Sequence, residues 1–135
     1  MWQRFSVGQR WSGKTPTGTA GSYHWNVAVN HGKKTGLMRL FGGEPDQHWQ
    51  YATAFAGYDD WRVPTLNELR SIVDKKHHPV ICSSAFPNTP ARFYWSASSD
   101  AADSGHAWGV LFASGSDYGY SRDHSYHVRL VRTGQ

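Results

Sequence analysis

Residues 57–69 form the run that most limits how this chain can fold, because they combine a turn, a proline and a helix start. Pro64 disfavours helical geometry at Val63, so no regular helix is expected to pass through this point. Thr65 and Glu68 have the T-x-x-E spacing of a capping box, in which each side chain binds a backbone N–H at the first turn of a helix. The run therefore predicts that a helix begins at Thr65.

Apolar residues recur at helical spacing after this start, and they identify the buried side of the helix. They are Leu66, Leu69, Ile72 and Val73. A second helix is predicted over residues 46–56, with Pro45 near its start and Gly57 at its end. Its apolar side holds Trp49, Ala52, Phe55 and Ala56.

Alternating or short apolar runs predict strands in the rest of the chain. They cover residues 2–7, 25–30, 36–41, 93–98, 107–113, 115–120 and 126–131. Residues 25–30 and 36–41 are expected to pair as a hairpin, and the C-terminal runs are expected to form an antiparallel sheet. In the last run Val128 and Leu130 alternate with Arg129, which predicts that this arginine lies on the polar side.

The composition fits one α+β domain of residues 1–135, in which two helices pack on a small twisted sheet with long polar loops. Aromatic residues make up 15% of the chain and glycine occurs 14 times, which is typical of short strands and tight turns. Cys82 is the single cysteine, so no internal disulfide can form. No stretch has the length of a membrane span, and the N-terminal residues lack the apolar core of a secretory leader.

The net charge of +4 permits an acidic partner without requiring one. Lysines stand as short pairs at residues 33–34 and 75–76, without the long basic run that is typical of nucleic-acid binding. The sequence therefore favours neither nucleic acid nor membrane insertion.

The tightest cluster of metal-ligating residues is His77, His78 and Cys82. A structural zinc site usually takes four ligands at a recognisable spacing, and no second pair accompanies this cluster. The two histidines are interpreted instead as the polar end of the helix that begins at Thr65, where they interact favourably with the helix dipole. No metal site and no cofactor are predicted.

Serine, histidine and aspartate are frequent after residue 95, but no motif selects a nucleophile among them. The chain has no Gly-x-Ser-x-Gly turn and no glycine loop that would hold a phosphate. We expect no enzymatic activity. An enzyme or metal-dependent module built on the histidines, Cys82 or the polar loops is the competing class.

A few large or charged residues are interpreted as structural rather than ligand-binding. Each tryptophan is expected to be a buried indole whose N–H has a hydrogen-bond partner in the protein. The arginine is expected to join a carboxylate to loop carbonyls, so neither residue type requires a ligand. These residues are Trp61, Arg62, Trp95 and Trp108. Thr65 and Glu68 belong to the same structural set through the capping box.

Residue usage changes in the C-terminal part of the chain. Residues 77–134 contain no Lys, Glu, Gln or Met, while Ser, Asp, His, Tyr and Gly are frequent there. Tyrosine supplies rigid contact area and short polar residues supply adaptable hydrogen bonds, as in a binding surface, although turns explain part of this bias. The predicted ligand-binding residues are Ser99, Asp100, His106, Asp117, Tyr118, Tyr120, Arg122, Asp123, His124 and Tyr126.

Several segments, taken in order, carry a resemblance to a known family. They are residues 35–38, 57–69, 94–98, 107–110 and 128–132. Together they resemble the C-terminal domain of Legionella collagen-like adhesins, also catalogued as a domain of unknown function. This resemblance implies a C-type-lectin-like fold, of the subgroup that contains formylglycine-generating enzymes and the variable proteins of diversity-generating retroelements. It leaves residues 1–34 poorly matched.

The departures from that pattern remove two activities from the expectation. The Glu-Pro-Asn and Trp-Asn-Asp motifs of calcium-dependent lectins are missing, and the oxidase would need paired cysteines. The resemblance therefore implies a non-enzymatic domain that recognises a cell-surface or extracellular glycan or protein through its polar, Tyr-rich loops. It also implies a trimer and an extracellular or surface setting.

Sulfated polysaccharide is one ligand class that the resemblance implies. The basic residues that would contact its anions are Arg92, Arg122, Lys75 and Lys76. The retroelement relatives diversify codons that can yield Tyr, Ser, Asp, His, Gly and Arg but never Lys, Glu, Gln, Met or Trp. Residues 77–134 lack the first four of these, Lys, Glu, Gln and Met, so diversification of this region is a hypothesis.

Overall fold

The computed structural model describes residues 1–32 and 47–133. The helices in this part are α1 (Trp25–Val29), α2 (Gln47–Thr53) and α3 (Leu66–Ser71), with a 3-10 turn at Phe55–Gly57. The strands are β1 (Arg10–Trp11), β2 (Pro16–Thr17), β3 (Phe93–Ser99), β4 (His106–Leu111) and β5 (Ser116–Ser121). β1 and β2 form a small hairpin, and β3, β4 and β5 form an antiparallel sheet in that order. None of the described helices is both long enough and apolar enough to span a bilayer.

This mixture of short helices and small antiparallel sheets agrees with the predicted α+β class. The prediction of two helices is too low, because α1 adds a third in the described residues. The finer assignment to the C-type-lectin-like fold stays a prediction.

Helix α3 begins where the capping box predicted. Thr65 Oγ1 accepts the Glu68 N–H at 3.2 Å, and Glu68 Oε1 accepts the Thr65 N–H at 2.8 Å. Leu69 is fully buried on the predicted face. The helix stops just before Ile72, so Ile72 and Val73 reach the same core from the loop that follows.

Helix α2 confirms the second predicted helix over a shorter span. Trp49 and Ala52 are fully buried on the predicted side. After the helix the backbone turns through positive φ at Ala56 (59°) and Gly57 (80°), a conformation that glycine adopts without strain. The predicted start near Pro45 lies outside the described residues.

The strand predicted at residues 25–30 is wrong, because this segment forms helix α1. In the helix Trp25 and Ala28 lie on one face, since residues three apart are neighbours on a helix. Ala28 is fully buried, and the Trp25 indole N–H donates to Ser96 O at 2.9 Å, which holds α1 against the sheet. The predicted partner strand, residues 36–41, lies outside the described residues.

The three-stranded sheet follows the predicted strands closely. β3 pairs with β4 with a register shift between Trp95 and Ser99. β4 pairs with β5 in one unbroken register, in which Trp108 lies opposite Gly119. β4 ends at Leu111, slightly before the predicted end.

The closing run, residues 126–131, does not join the sheet as the antiparallel strand that was predicted, because its antiparallel bridges are to Trp2, Tyr23 and Arg62. It lies parallel to β3, where the His127 N–H donates to Phe93 O at 3.2 Å and the Trp95 N–H donates to His127 O at 2.9 Å. Apolar alternation does not specify the direction of a partner strand.

Residues 2–7, predicted as a strand, pair with the closing run through separate hydrogen bonds instead of a regular ladder. The Gln3 N–H donates to Leu130 O at 3.0 Å, and the Val7 N–H donates to Val128 O at 2.8 Å. Val7 is fully buried. The N-terminal segment is therefore part of the core.

The run that contains the capping box also holds the closing run in place. Arg62 and Val131 exchange two backbone hydrogen bonds, of 2.8 and 2.9 Å. The Arg132 guanidinium donates to both carboxylate oxygens of Asp60, at 2.7 and 3.1 Å, and lowers the pKa of Asp60. Asp60 and Arg132 are therefore assigned a structural role, in which they hold the closing run against residues 57–69.

Apolar side chains pack on both faces of the sheet. One cluster surrounds Trp95 and includes Phe5 and Trp49, and the other surrounds Leu69 and includes Tyr94. Arg129 was predicted on a polar side, but it is only 1% exposed. The prediction is wrong because the closing run has protein on both sides, so both of its faces are buried.

The Arg62–Glu68 pair makes stability dependent on pH. Two hydrogen bonds of 2.7 Å join the guanidinium to the carboxylate, and they lower the pKa of Glu68 to about 2. A carboxylate with a depressed folded-state pKa stabilises the fold above its unfolded pKa, and that contribution is lost as the pH falls towards the folded one. We expect Glu68→Gln to lower the free energy of unfolding at neutral pH and to matter little near pH 2.

Urea unfolding of both proteins between neutral pH and pH 2 measures this difference. Asp123→Asn is a matched control, because Asp123 is exposed and its carboxylate has no hydrogen bond or ion pair within the described residues. A difference between Glu68→Gln and the original protein that stays constant over the whole pH range would contradict the assignment.

Candidate functional site

A cleft of about 610 Å³ opens between the N-terminal segment and one face of the sheet. Phe93 of β3, Tyr120 of β5, Tyr126 and His127 of the closing run, and the N-terminal segment around Ser22 line it. Two of the predicted ligand-binding residues, both tyrosines, therefore lie in the same cavity.

Aromatic rings pack against one another along the cleft. The Phe93 ring centroid lies 4.6 Å from that of Tyr126 and 4.7 Å from that of Tyr120, and the two tyrosine centroids are 5.5 Å apart. Trp95 packs against Tyr126 at 5.1 Å, and its indole N–H donates to Tyr23 O at 2.8 Å. Because each ring is held by the others, the cleft offers a preformed aromatic surface.

A further tyrosine extends this surface beyond the cleft. Tyr118 and Tyr120 lie on the same face of β5, because side chains alternate along a strand. Their rings stack with centroids 5.6 Å apart and 9° between the planes. Tyr118 is 39% exposed, so the aromatic surface continues from the cleft towards the sheet edge.

Tyr126 is the most constrained of these tyrosines. Its hydroxyl lies 3.3 Å from Nδ1 of His124, another of the predicted residues. Burial, and then the neighbouring Tyr120, raises the pKa of Tyr126. The hydroxyl therefore stays protonated at neutral pH and can both donate and accept a hydrogen bond.

Two nitrogen-bearing side chains complete the cleft. Arg92 is exposed, and its guanidinium has no hydrogen bond or ion pair with the described residues. His127 lies against Gly21 O, with Nδ1 at 2.7 Å, and because a carbonyl only accepts, Nδ1 carries the proton of this bond. The imidazole is thereby oriented, and the cleft combines rings, hydroxyls and one unpaired cation.

Two of the predicted ligand-binding residues, Asp117 and Asp123, do not line the cleft. Asp117 alternates to the opposite face of β5, where it pairs with Arg70 of α3. The hydrogen bond from Arg70 lowers the pKa of Asp117. Asp123 is exposed in the loop that follows β5.

A second set of predicted residues lies at the turn between β3 and β4. The Asp100 N–H donates to His106 O at 3.2 Å, and Arg122 Nε donates to the same oxygen at 3.1 Å. The guanidinium carbon of Arg122 also lies 4.2 Å from the ring centroid of Trp25. Ser99 ends β3 beside this turn. Arg122 is thus occupied by protein contacts, unlike Arg92.

The residues interpreted as structural lie in or against the core. Trp61 is 2% exposed, and its indole N–H donates to Phe55 O at 2.9 Å. Trp95 is fully buried beneath the cleft, and Trp108 is half-buried on the opposite face of the sheet.

The interpretation of His77 and His78 as a helix end is wrong, because α3 stops well before them. His77 Nε2 lies 3.6 Å from Asp74 Oδ2, and Cys82 Sγ lies 3.1 Å from Ser84 Oγ. Within residues 1–32 and 47–133, no three side chains of the His, Cys, Asp or Glu type come together in a group that could hold a metal ion. Lys75 and Lys76 are exposed in the same loop.

Sequence reasoning missed the N-terminal side of the cleft and His127. Gly21 and His127 are 106 positions apart in the chain, and no local pattern links them. The one available signal was the apolar alternation of the closing run, which indicated that this segment would meet the sheet.

Comparison with known proteins gives one family. The model of the Lcl C-terminal domain matches residues 1–132, and it therefore includes the N-terminal segment that the sequence resemblance left poorly matched. The curated proteins contain no match to the chain.

Proposed function

The chain belongs to the Lcl C-terminal domain family, that of Legionella collagen-like proteins, and from this premise we propose that it binds an anionic glycan in its aromatic cleft. The family indicates an adhesin-associated domain. The single observation that carries the finer proposal is the unpaired Arg92 beside the packed tyrosines of one cleft.

The size and lining of the cleft fit a small number of sugar units. Ligand sites are concave, commonly about 300–1,000 Å³, and mix aromatic surface with a few polar groups. Tyr120 and Tyr126 supply flat apolar area against which the C–H faces of a sugar ring can pack. Ser22, Ser125 and the Tyr126 hydroxyl supply hydrogen-bonding groups for sugar hydroxyls.

Arg92 provides the preference for an anionic sugar. A guanidinium presents parallel N–H groups that match a carboxylate or sulfate, and this one has no competing partner in the described residues. The net charge of +4 attracts an acidic polysaccharide from a distance, and salt screens that attraction. Of the four basic residues named from the sequence, Arg92 is the one that lines the cleft.

The proposal is binding without a covalent step. Tyr126 stays protonated, and His127 is held by Gly21 O, so these groups are assigned to orientation and hydrogen bonding. The fit to a glycan comes from shape, rings and one positive charge.

Heparin is a suitable probe of this proposal. We expect Arg92→Ala to weaken heparin binding about tenfold, because one charge-assisted hydrogen-bonded contact contributes about 1.5–3 kcal/mol before solvent screening. Arg92→Lys should recover part of the affinity, since it keeps the charge and loses the parallel N–H geometry. Isothermal titration at low and high salt measures both effects.

Arg10→Ala is the matched control, since Arg10 is also exposed but lies over the Tyr51 ring, at 4.5 Å from its centroid, and does not line the cleft. Equal heparin affinity for Arg92→Ala and Arg10→Ala would contradict the proposed site. Binding that does not weaken with salt would contradict an anionic ligand.

We also propose that the loops around this surface belong to a diversified region. The support is the absence of Lys, Glu, Gln and Met from residues 77–134, together with the exposure of Tyr118, Asp123 and His124. The coding DNA tests this: a near-repeat of the C-terminal coding sequence beside a reverse-transcriptase gene is expected. A genome that lacks both would overturn it.

A further inference from the structure

Strand β5 is an outer strand of the sheet. Hydrogen bonding alternates along an antiparallel pair, and the Arg122 N–H donates to Gly105 O at 2.9 Å. In the observed register, this makes Tyr118 and Tyr120 the residues whose backbone groups point to β4. The backbone groups of the alternate residues therefore point away from the sheet.

Those outward residues are Asp117, Gly119 and Ser121. Their N–H groups have no hydrogen-bond acceptor on another residue of the described chain. On the carbonyl side, Ser121 O accepts the His124 N–H at 3.2 Å. Within the described chain, the edge therefore presents three free N–H groups and the free carbonyls of Asp117 and Gly119, while Ser121 O keeps one lone pair for a further donor.

The edge also lacks the features that usually prevent pairing. Exposed edges are commonly protected by lysine, proline or a bulge. β5 contains neither of those residues, and its register with β4 is unbroken along its length. Its one charged side chain, Asp117, is paired with Arg70.

We propose that a second copy of this chain pairs with β5 along this edge, antiparallel, with the two-fold axis at Gly119. In this register Gly119 faces Gly119 of the second copy, and Asp117 faces its Ser121. The outward N–H and C=O groups then meet as hydrogen-bonded pairs, in which Ser121 O uses its second lone pair for the Asp117 N–H of the other copy. The two three-stranded sheets would then form one six-stranded sheet.

The side chains of β5 are self-complementary in this register. Tyr118 lies opposite Tyr120 of the second copy, and aromatic cross-strand pairs stabilise sheets. Gly119 brings no side chain to the axis, and Asp117 lies opposite a serine rather than another carboxylate. No like charges face each other.

This interface is small, because it rests on one strand from each copy. Interfaces below about 1,200 Å² belong mostly to weak and transient complexes. We therefore expect a dimer whose population rises with protein concentration. Because Tyr118 and Tyr120 share a face, the tyrosine surfaces of both copies would continue across the axis, and a polymeric ligand could engage two clefts together.

Substitution at the axis gives a sharp test. A Cβ added at Gly119 would be 3.4 Å from an Asp100 carboxylate oxygen and 3.8 Å from the Trp108 ring, which are ordinary contacts. Gly119→Lys places two like charges opposite each other in the dimer, and Gly119→Glu does the same with opposite sign. Each variant alone should dimerise at least about tenfold more weakly, because like charges directly opposite each other destabilise strand pairing.

An equimolar mixture of the two variants should recover dimerisation, since lysine then faces glutamate. Sedimentation equilibrium measures the dissociation constants, circular dichroism confirms folding, and Gly119→Ala is the uncharged control that should still dimerise. Recovery on mixing separates a repelled interface from a misfolded strand, because mixing does not repair misfolding.

Two results would overturn the proposal. One is an original chain that stays monomeric at millimolar concentration. The other is an oligomer, including the trimer that the family resemblance implies, whose stability is the same with glycine, lysine or glutamate at position 119.

Discussion

Arg129→Ala is expected to lower the free energy of unfolding by about 3–5 kcal/mol, from the lost packing and the polar partners left unpaired. The side chain is 1% exposed. Its Nη1 donates to Gln3 O at 3.0 Å, and its Nη2 donates to Thr89 Oγ1 at 2.8 Å. The guanidinium carbon lies 5.0 Å from the ring centroid of Phe86. Truncation would leave a cavity and two buried acceptors without donors.

The Arg129 guanidinium is surrounded by neutral groups in the part of the chain that the structure describes. No carboxylate pairs with Arg129 in the described residues, and burial lowers its pKa. Burial also raises the pKa of the neighbouring Tyr94, whose hydroxyl is hydrogen-bonded to Ser6. The cation is therefore held by carbonyl and hydroxyl oxygens and by ring faces.

Arg129→Met is the informative control, because it fills most of the volume and removes the buried charge. Replacing buried ionic groups by well-packed apolar ones is often close to neutral. We expect it to be clearly more stable than Arg129→Ala in urea unfolding followed by circular dichroism. An alanine variant as stable as the original chain would show that Arg129 does not support the core.

Trp95→Ala is expected to cost about 3–5 kcal/mol of unfolding free energy, the usual range for truncating a fully buried tryptophan. Trp95 is 0% exposed and lies in the main core cluster. Its ring supports Tyr126, and its N–H satisfies Tyr23 O. The variant should therefore also weaken heparin binding in any condition in which it remains folded.

Trp95→Phe and Trp108→Ala separate these contributions. The phenylalanine keeps a ring but loses the N–H donor to Tyr23 O, so a smaller loss is expected. Trp108 is half-buried on the other face of the sheet, so its truncation should cost less and leave heparin affinity unchanged. Equal losses of stability for Trp95→Ala and Trp108→Ala would contradict the burial argument.

The parts of the fold that could be predicted are those decided by short-range interactions. The capping box at Thr65 and Glu68 needs only neighbouring residues, and α3 begins there. The period of two along β5 places Tyr118 and Tyr120 on one face without knowledge of the rest of the chain.

Residues 25–30 show where the same reasoning fails. Over so few positions the segment fits both patterns, since Trp25, Val27 and Val29 have strand spacing while Trp25, Ala28 and Val29 have helical spacing. The choice was made by distant contacts, since α1 buries Ala28 and joins Trp25 to Ser96 of β3. Neither contact can be read from the local pattern.

The candidate site divides in the same way. Residue usage pointed to Asp117 and Tyr120 alike, and the period of two along β5 places them on opposite faces without showing which face carries the cleft. Asp117 is held on the opposite face by Arg70, which is 47 positions away. Arg92 was named for its charge alone, and only folding brings it to the tyrosine cleft.

The sequence by itself determined the start of α3, the strands of the central sheet and the common face of Tyr118 and Tyr120. Only the tertiary structure decided the parallel pairing of the closing run, the burial of Arg129 and the existence of the cleft. The physical reason is the range of the interactions. Capping and alternation act within a few residues, whereas the cleft depends on contacts such as His127 to Gly21, 106 positions apart, which form only when the chain closes.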